Sequence, residues 1–131
     1  MTKFVIHASA VLHLASEEVE VADEHELLAP TLLRSQTLSA LHEAVQGGEI
    51  PADVARDRLK HIGRMPIRLL GDAVLRRRAW DLADQLGWAS TYDAEYVALT
   101  QLQADAFITL DKKLARSVKG IVATASIDAL S

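Results

Sequence analysis

An α/β architecture with a mostly parallel sheet is the fold class this sequence predicts, and three observations predict it. Short runs of β-forming residues alternate with longer stretches whose apolar residues recur at helical spacing along the whole chain. The 131 residues are half apolar, which suits one sizeable core and leaves no room for a second domain, so residues 1–131 are expected to form a single domain. No repeat, linker or low-complexity tract interrupts the alternation.

Phe4-Val5-Ile6 reads as the first strand, and Ala8-Ser9-Ala10-Val11-Leu12 as a turn into a helix. The stretch from Glu17 to Glu26 is acidic and interrupted. Leu27-Leu28-Ala29-Pro30 gives a second short strand ended by its proline. From Leu32 a mostly apolar helix reaches about Val45 and stops at Gly47-Gly48. Pro51 opens another, with Ala55, Leu59 and Ile62 at helical spacing. Ile67-Arg68-Leu69-Leu70 fits either a strand or an extended connection.

Between Asp72 and Leu86 the residues Leu75, Ala79, Leu82 and Leu86 form one stripe, the clearest helix in the chain. Gly87 ends it. Ser90-Thr91-Tyr92-Asp93 has the form of a capping box before a helix that carries Ala94, Val97, Ala98 and Leu102. Ala106-Phe107-Ile108-Thr109 then reads as a strand, Lys112 to Ser117 as a short helix and Ile121-Val122-Ala123 as a last strand.

The composition narrows the chemistry. There are no cysteines, which excludes disulfides and thiolate metal sites and agrees with a reducing cytoplasm. The first apolar run is too short for a signal peptide or membrane span, so a soluble cytoplasmic protein is expected. With a net charge of −4 the surface as a whole does not attract nucleic acid. RNA would need a local basic patch, and Arg76-Arg77-Arg78 is the candidate, although such a run is more often a solvated helix face.

In an open α/β sheet ligands collect beyond the carboxyl ends of the strands. His7 and Ser9 follow the first strand, Thr109 and Asp111 follow the strand near residue 108, and Asp93 opens a helix. Each has a plain structural reading too: Asp93 and Asp111 can cap their helices, and a lone His7 is more often structural than catalytic.

The order of motifs adds to this. Phe4 to Val11 resembles the opening of PIN domains of the VapC toxin type, where an aspartate stands at the position of His7. Ala29-Pro30, Leu32-Leu33 and Gln36 resemble the second motif, with a glutamate at the position of Gln36. Thr91 to Leu99 is close to the third motif and Phe107 to Ala115 to the fourth. The resemblance covers nearly the whole chain and implies a three-layer α/β/α sandwich.

It also implies four acidic positions that hold magnesium for hydrolysis of RNA, an antitoxin partner and a homodimer. Magnesium suits hard carboxylate oxygens, and it supplies Lewis acidity and charge compensation to a phosphodiester. Of the four positions only Asp93 and Asp111 remain acidic. Gln36 loses the charge, and His7 is a softer ligand than aspartate. Glu43 lies about 10 Å further along the helix from Gln36, and Glu95, two residues from Asp93, points elsewhere.

The expected site is therefore His7, Ser9, Gln36, Asp93, Thr109 and Asp111, with any magnesium held by Asp93 and Asp111. The expected function is an endoribonuclease toxin of impaired activity. The alternative is a pseudo-nuclease that keeps antitoxin or RNA binding without chemistry, and a coincidental α/β domain is the third reading. Leu32, Leu33, Val54 and Ile62 are candidates for the antitoxin groove, though each is more often core than interface.

Overall fold

The computed structural model describes all 131 residues. Its sheet has four strands: β1 (Thr2–Ile6), β2 (His25–Pro30), β3 (Ile67–Leu70) and β4 (Ala106–Ile108). All neighbours are parallel, in the order β3-β2-β1-β4. Parallel strands require crossovers, and five helices supply them: α1 (Ala8–Glu17), α2 (Leu32–Gln46), α3 (Ala52–Arg64), α4 (Ala73–Leu86) and α5 (Tyr92–Gln103); a sixth, α6 (Lys112–Ser117), follows β4.

α5 lies against β1, β2 and β4, and α4 packs on α5. α1, α2 and α3 pack on one another, with α2 also against β2. A strand covered on both faces should be apolar throughout. Accordingly Phe4, Val5 and Ile6 of β1 and Ala106, Phe107 and Ile108 of β4 are all buried, in one core with Tyr96, Val97 and Leu99 of α5. The stripe expected on α4 is buried at Leu75, Ala79 and Leu82, and Ala83 joins it, while Leu86 is only half-buried.

One open sequence reading is resolved and two expectations are corrected. Ile67–Leu70 is a true strand, at the sheet edge beside β2. Ile121-Val122-Ala123 is not a strand; one parallel bridge joins Thr124 to Phe107 just beyond it. The left-handed Gly120 (φ 85°) turns the chain immediately before this segment, and Ser126 caps a 3₁₀ helix, Ile127–Leu130, immediately after the bridge. Only one register position is left for pairing. The capping box at Ser90 does not form either. Thr91 is the N-cap of α5 with helical backbone and no side-chain bond, and Ser90 Oγ accepts from the Tyr92 N–H at 3.3 Å.

The strand order reverses after β1, whose neighbours are β2 on one side and β4 on the other. Crossovers leave β1 and β4 in opposite directions at such a point, and a crevice opens beyond their carboxyl ends. The His7 N–H donates to the Ile108 carbonyl at 2.9 Å, which holds the two strand ends together where that crevice begins.

Candidate functional site

Each polar residue expected at the strand ends is placed by a different piece of local chemistry. His7 is the N-cap of α1: its backbone is extended, and its Nδ1 accepts from the Ser9 N–H at 3.2 Å. Histidine takes the place that serine or aspartate fills at most N-caps. An N–H donating to Nδ1 means that Nδ1 carries no proton in the neutral ring, so the Nε2–H faces outward. It donates to Asp93 Oδ1 at 3.0 Å.

Ser9 Oγ stands 2.8 Å from the same Nδ1 and donates its proton there. Its lone pairs accept from the Leu110 N–H at 3.0 Å and from the Thr109 hydroxyl at 3.3 Å. Thr109 Oγ1 in turn accepts from the Asp111 N–H at 3.1 Å. The hydrogens of this chain all run one way, from the Asp111 amide through Thr109, Ser9 and His7 to the carboxylate of Asp93. Such one-directional chains polarise each link in the same sense.

His7 is buried at 9% exposure, whereas the Asp93 side chain is 44% exposed. The carboxylate is thus the open end of the chain. It borders a shallow depression of about 330 Å³ lined also by Gly87, Trp88, Ala89 and Ser90. The imidazole is held by aromatic neighbours, with Tyr96 at 4.8 Å and Phe107 at 6.0 Å between ring centroids.

Gln36 reaches this group by another route. The Tyr96 hydroxyl, on a fully buried ring, donates to Gln36 Oε1 at 2.6 Å. Burial and the nearby Asp93 charge raise the Tyr96 pKa far above the ordinary phenol range, with the Ala8 amide pulling weakly the other way. The phenol therefore stays neutral and remains a donor.

Asp111 behaves as the plain structural reading has it. Its Oδ1 caps α6 by accepting from the Leu114 N–H at 3.0 Å, and the residue is exposed. Asp93 departs from that reading, since its carboxylate goes to His7 and not to its own helix. His7, Ser9, Thr109 and Asp93 are joined side chain to side chain. Asp111 joins through its backbone, and Gln36 through Tyr96. Sequence reasoning passed over Tyr96 and the Leu110 amide. The signal for Tyr96 was an aromatic three residues after Asp93, one helical turn along and on the same side of α5.

The donor set fits magnesium poorly. One oxygen of Asp93 is bound by an N–H, Gln36 Oε1 is bound by a phenol, and one oxygen of Asp111 is bound by an amide. No three His, Asp or Glu side chains gather as a cation cage would require. Glu95 lies to one side, where burial raises its pKa and the Arg76 charge pulls it partly back down. Arg76, Arg77 and Arg78 are all exposed on α4, and Arg78 Nη1 donates to Gln101 Oε1 at 3.3 Å.

Of the proposed groove residues, Leu33 and Ile62 line one apolar cavity of about 240 Å³ with Leu59, Met65 and Leu69. A second cavity, of about 260 Å³, continues along α2 and α3 past Leu38, Leu41, Val45 and Leu59. Val54 faces a different depression, with Asp57, Arg58 and His61, and Leu32 packs against the core.

No protein-family model matches the sequence, and no curated protein is a significant sequence match. Solved structures do match. PAE2754 from Pyrobaculum aerophilum aligns over 98% of this chain and 93% of its own, at 20% identity and a TM-score of 0.73. A chain of VapBC2 from Rickettsia felis, solved with a DNA fragment from their promoter, aligns over 95% and 98% at 8% identity and a TM-score of 0.64. A chain of VapBC-1 from nontypeable Haemophilus influenzae aligns over 96% and 98% at 12% identity and 0.63. At these identities the likeness is one of fold, a PIN-like α/β/α sandwich.

Proposed function

We propose that this chain is a PIN-fold protein of the toxin–antitoxin kind in which magnesium-dependent hydrolysis of RNA is impaired. One observation carries the impairment: the His7 Nε2–H occupies the Asp93 oxygen at 3.0 Å, where the resembled family has two carboxylates facing a cation. A cation entering there would have to break that bond and work with fewer charges, which lowers affinity for a hard ion. An antitoxin partner is supported by the likeness to the two VapBC structures and by the apolar cavities between α2 and α3. Arg76, Arg77 and Arg78, all exposed on α4, are the basic run available to RNA phosphates.

A second reading, a binding module without nuclease chemistry, is favoured by the completeness of the hydrogen-bond chain. The His7, Ser9, Thr109 and Gln36 side chains all have partners, as expected of a site retained for structure.

One experiment separates the two. A mixed RNA pool is incubated with wild type and with the variant carrying both His7→Asp and Gln36→Glu, at millimolar magnesium and with EDTA. The impaired nuclease predicts weak magnesium-dependent cleavage by wild type and at least tenfold more by the variant. Cleavage by neither protein, with an antitoxin still bound, establishes the binding module. Wild-type cleavage equal to that of the variant refutes the impairment.

A further inference from the structure

The polar chain beyond β1 contains a constellation that phosphodiester hydrolysis by a metal does not use. Ser9 Oγ lies 2.8 Å from His7 Nδ1, and His7 Nε2 lies 3.0 Å from Asp93 Oδ1. A hydroxyl one hydrogen bond from a base, itself one hydrogen bond from an orienting carboxylate, is the geometry that activates a serine. Such triads arise on unrelated folds in different chain orders, so spatial roles decide the assignment. Here Nδ1 faces the hydroxyl and Nε2 the carboxylate.

Three features favour reaction at Ser9. The ring is fixed between Tyr96 and Phe107, so little reorganisation is needed when a proton arrives. The Leu110 N–H donates to Ser9 Oγ at 3.0 Å and stabilises the negative charge that builds there as the proton leaves. Ser9 is half-buried, not sealed in, and two exposed apolar residues, Tyr92 and Leu110, stand on the segments that bring Asp93 and Thr109. Two features oppose it. Both lone pairs of Ser9 Oγ already accept hydrogen bonds, from the Leu110 N–H and the Thr109 hydroxyl, and the longer of these has to give way before attack. The Ser9 N–H also points at Nδ1, from 3.2 Å, and disfavours a proton there. This places the expected gain near the lower end of the ~10²–10⁴-fold range of a positioned base.

We propose that Ser9 is a nucleophile, activated by His7 and Asp93, toward small apolar carboxylic esters. Ser9 Oγ forms a bond to the carbonyl carbon while its proton moves to His7 Nδ1. The carbon–alkoxide bond then breaks, and the alkoxide leaves with the proton from Nδ1. Water hydrolyses the acyl-serine by the same base, releasing the carboxylic acid and restoring Ser9. No oxidant, reductant or metal enters the balance.

The probe is an alkyl fluorophosphonate, in which a bond from Ser9 Oγ to phosphorus replaces the bond to fluoride. Labelling rates are followed by intact mass, and the site by peptide mapping, in wild type, Ser9→Ala, His7→Asn and Asp93→Asn. Asparagine at residue 7 keeps a side-chain acceptor for the start of α1, and thermal melts confirm which variants fold. The expected result is a single adduct on Ser9, at least tenfold slower in His7→Asn and also slowed in Asp93→Asn, with p-nitrophenyl acetate hydrolysis in the same order. Should His7→Asn not fold, Asp93→Asn carries the comparison, since Asp93 takes no part in capping α1. The proposal is overturned by no adduct, by an adduct on another serine, or by a Ser9 rate unchanged in the folded variants.

Discussion

A phenol with no solvent exposure must give its hydroxyl a partner, and Tyr96 gives it to Gln36. Tyr96→Phe removes that donor and leaves the Gln36 oxygen to find water from a half-buried position. The expected cost is about 1–2 kcal/mol, read from chemical denaturation. A smaller change than about 0.5 kcal/mol would show that the bond contributes no net stability. Beside it, Glu95 is a carboxyl whose folded pKa is raised by burial more than Arg76 lowers it. A raised folded pKa adds stability that is fully present below the unfolded value and is lost as pH rises through the folded one. Glu95→Gln is therefore expected to be somewhat more stable than wild type at neutral pH, with the advantage vanishing below the carboxylate range. Because Glu95 is half-exposed, solvent screening keeps the effect small. A variant less stable at pH 7 would mean that the Arg76 attraction outweighs desolvation.

Elements were legible where periodicity was strong and local chemistry agreed with it. The apolar stripe on α4 and the glycine after it announced both the helix and its end. Gly87 has φ 69°, and the Trp88 N–H returns to the Ala83 carbonyl at 2.8 Å. A Cβ there would meet no neighbour, so Gly87→Ala measures the left-handed backbone alone. About 1 kcal/mol of lost stability is expected, visible as a lower denaturation midpoint at unchanged slope. Illegible elements were those decided at a distance. Ile121-Val122-Ala123 has the composition of a strand, but a pairing partner is available only at Thr124. Ser90 to Asp93 spells a capping box, yet Asp93 is drawn off by a histidine 86 residues away. For the same reason the strand ends revealed which residues would meet, while their hydrogen-bond sense depended on three separated segments and could not be read from any one of them.

The whole molecule is closed by contacts between its two ends. β1 pairs with β4, the Lys3 carbonyl accepts from the Asp105 N–H, and the Ala22 N–H donates to the Leu130 carbonyl. β1 is thus a central strand whose second neighbour lies about 100 residues further along. On a ribosome adding roughly 5–20 residues per second, β1 waits about 5–20 s for that neighbour. Throughout this interval the nascent chain carries an unsatisfied edge made of Phe4, Val5 and Ile6, a template for pairing with another copy. A fragment of residues 1–104, which ends just before β4, is expected to associate and to bind hydrophobic dye, although it contains five of the six helices. If that fragment stays monomeric and unfolds cooperatively, β1 does not need β4. If it associates as expected, the strand that presents His7 is also the one most exposed to misassembly during synthesis, so expression at low temperature, with slower encounter between chains, should raise the soluble yield.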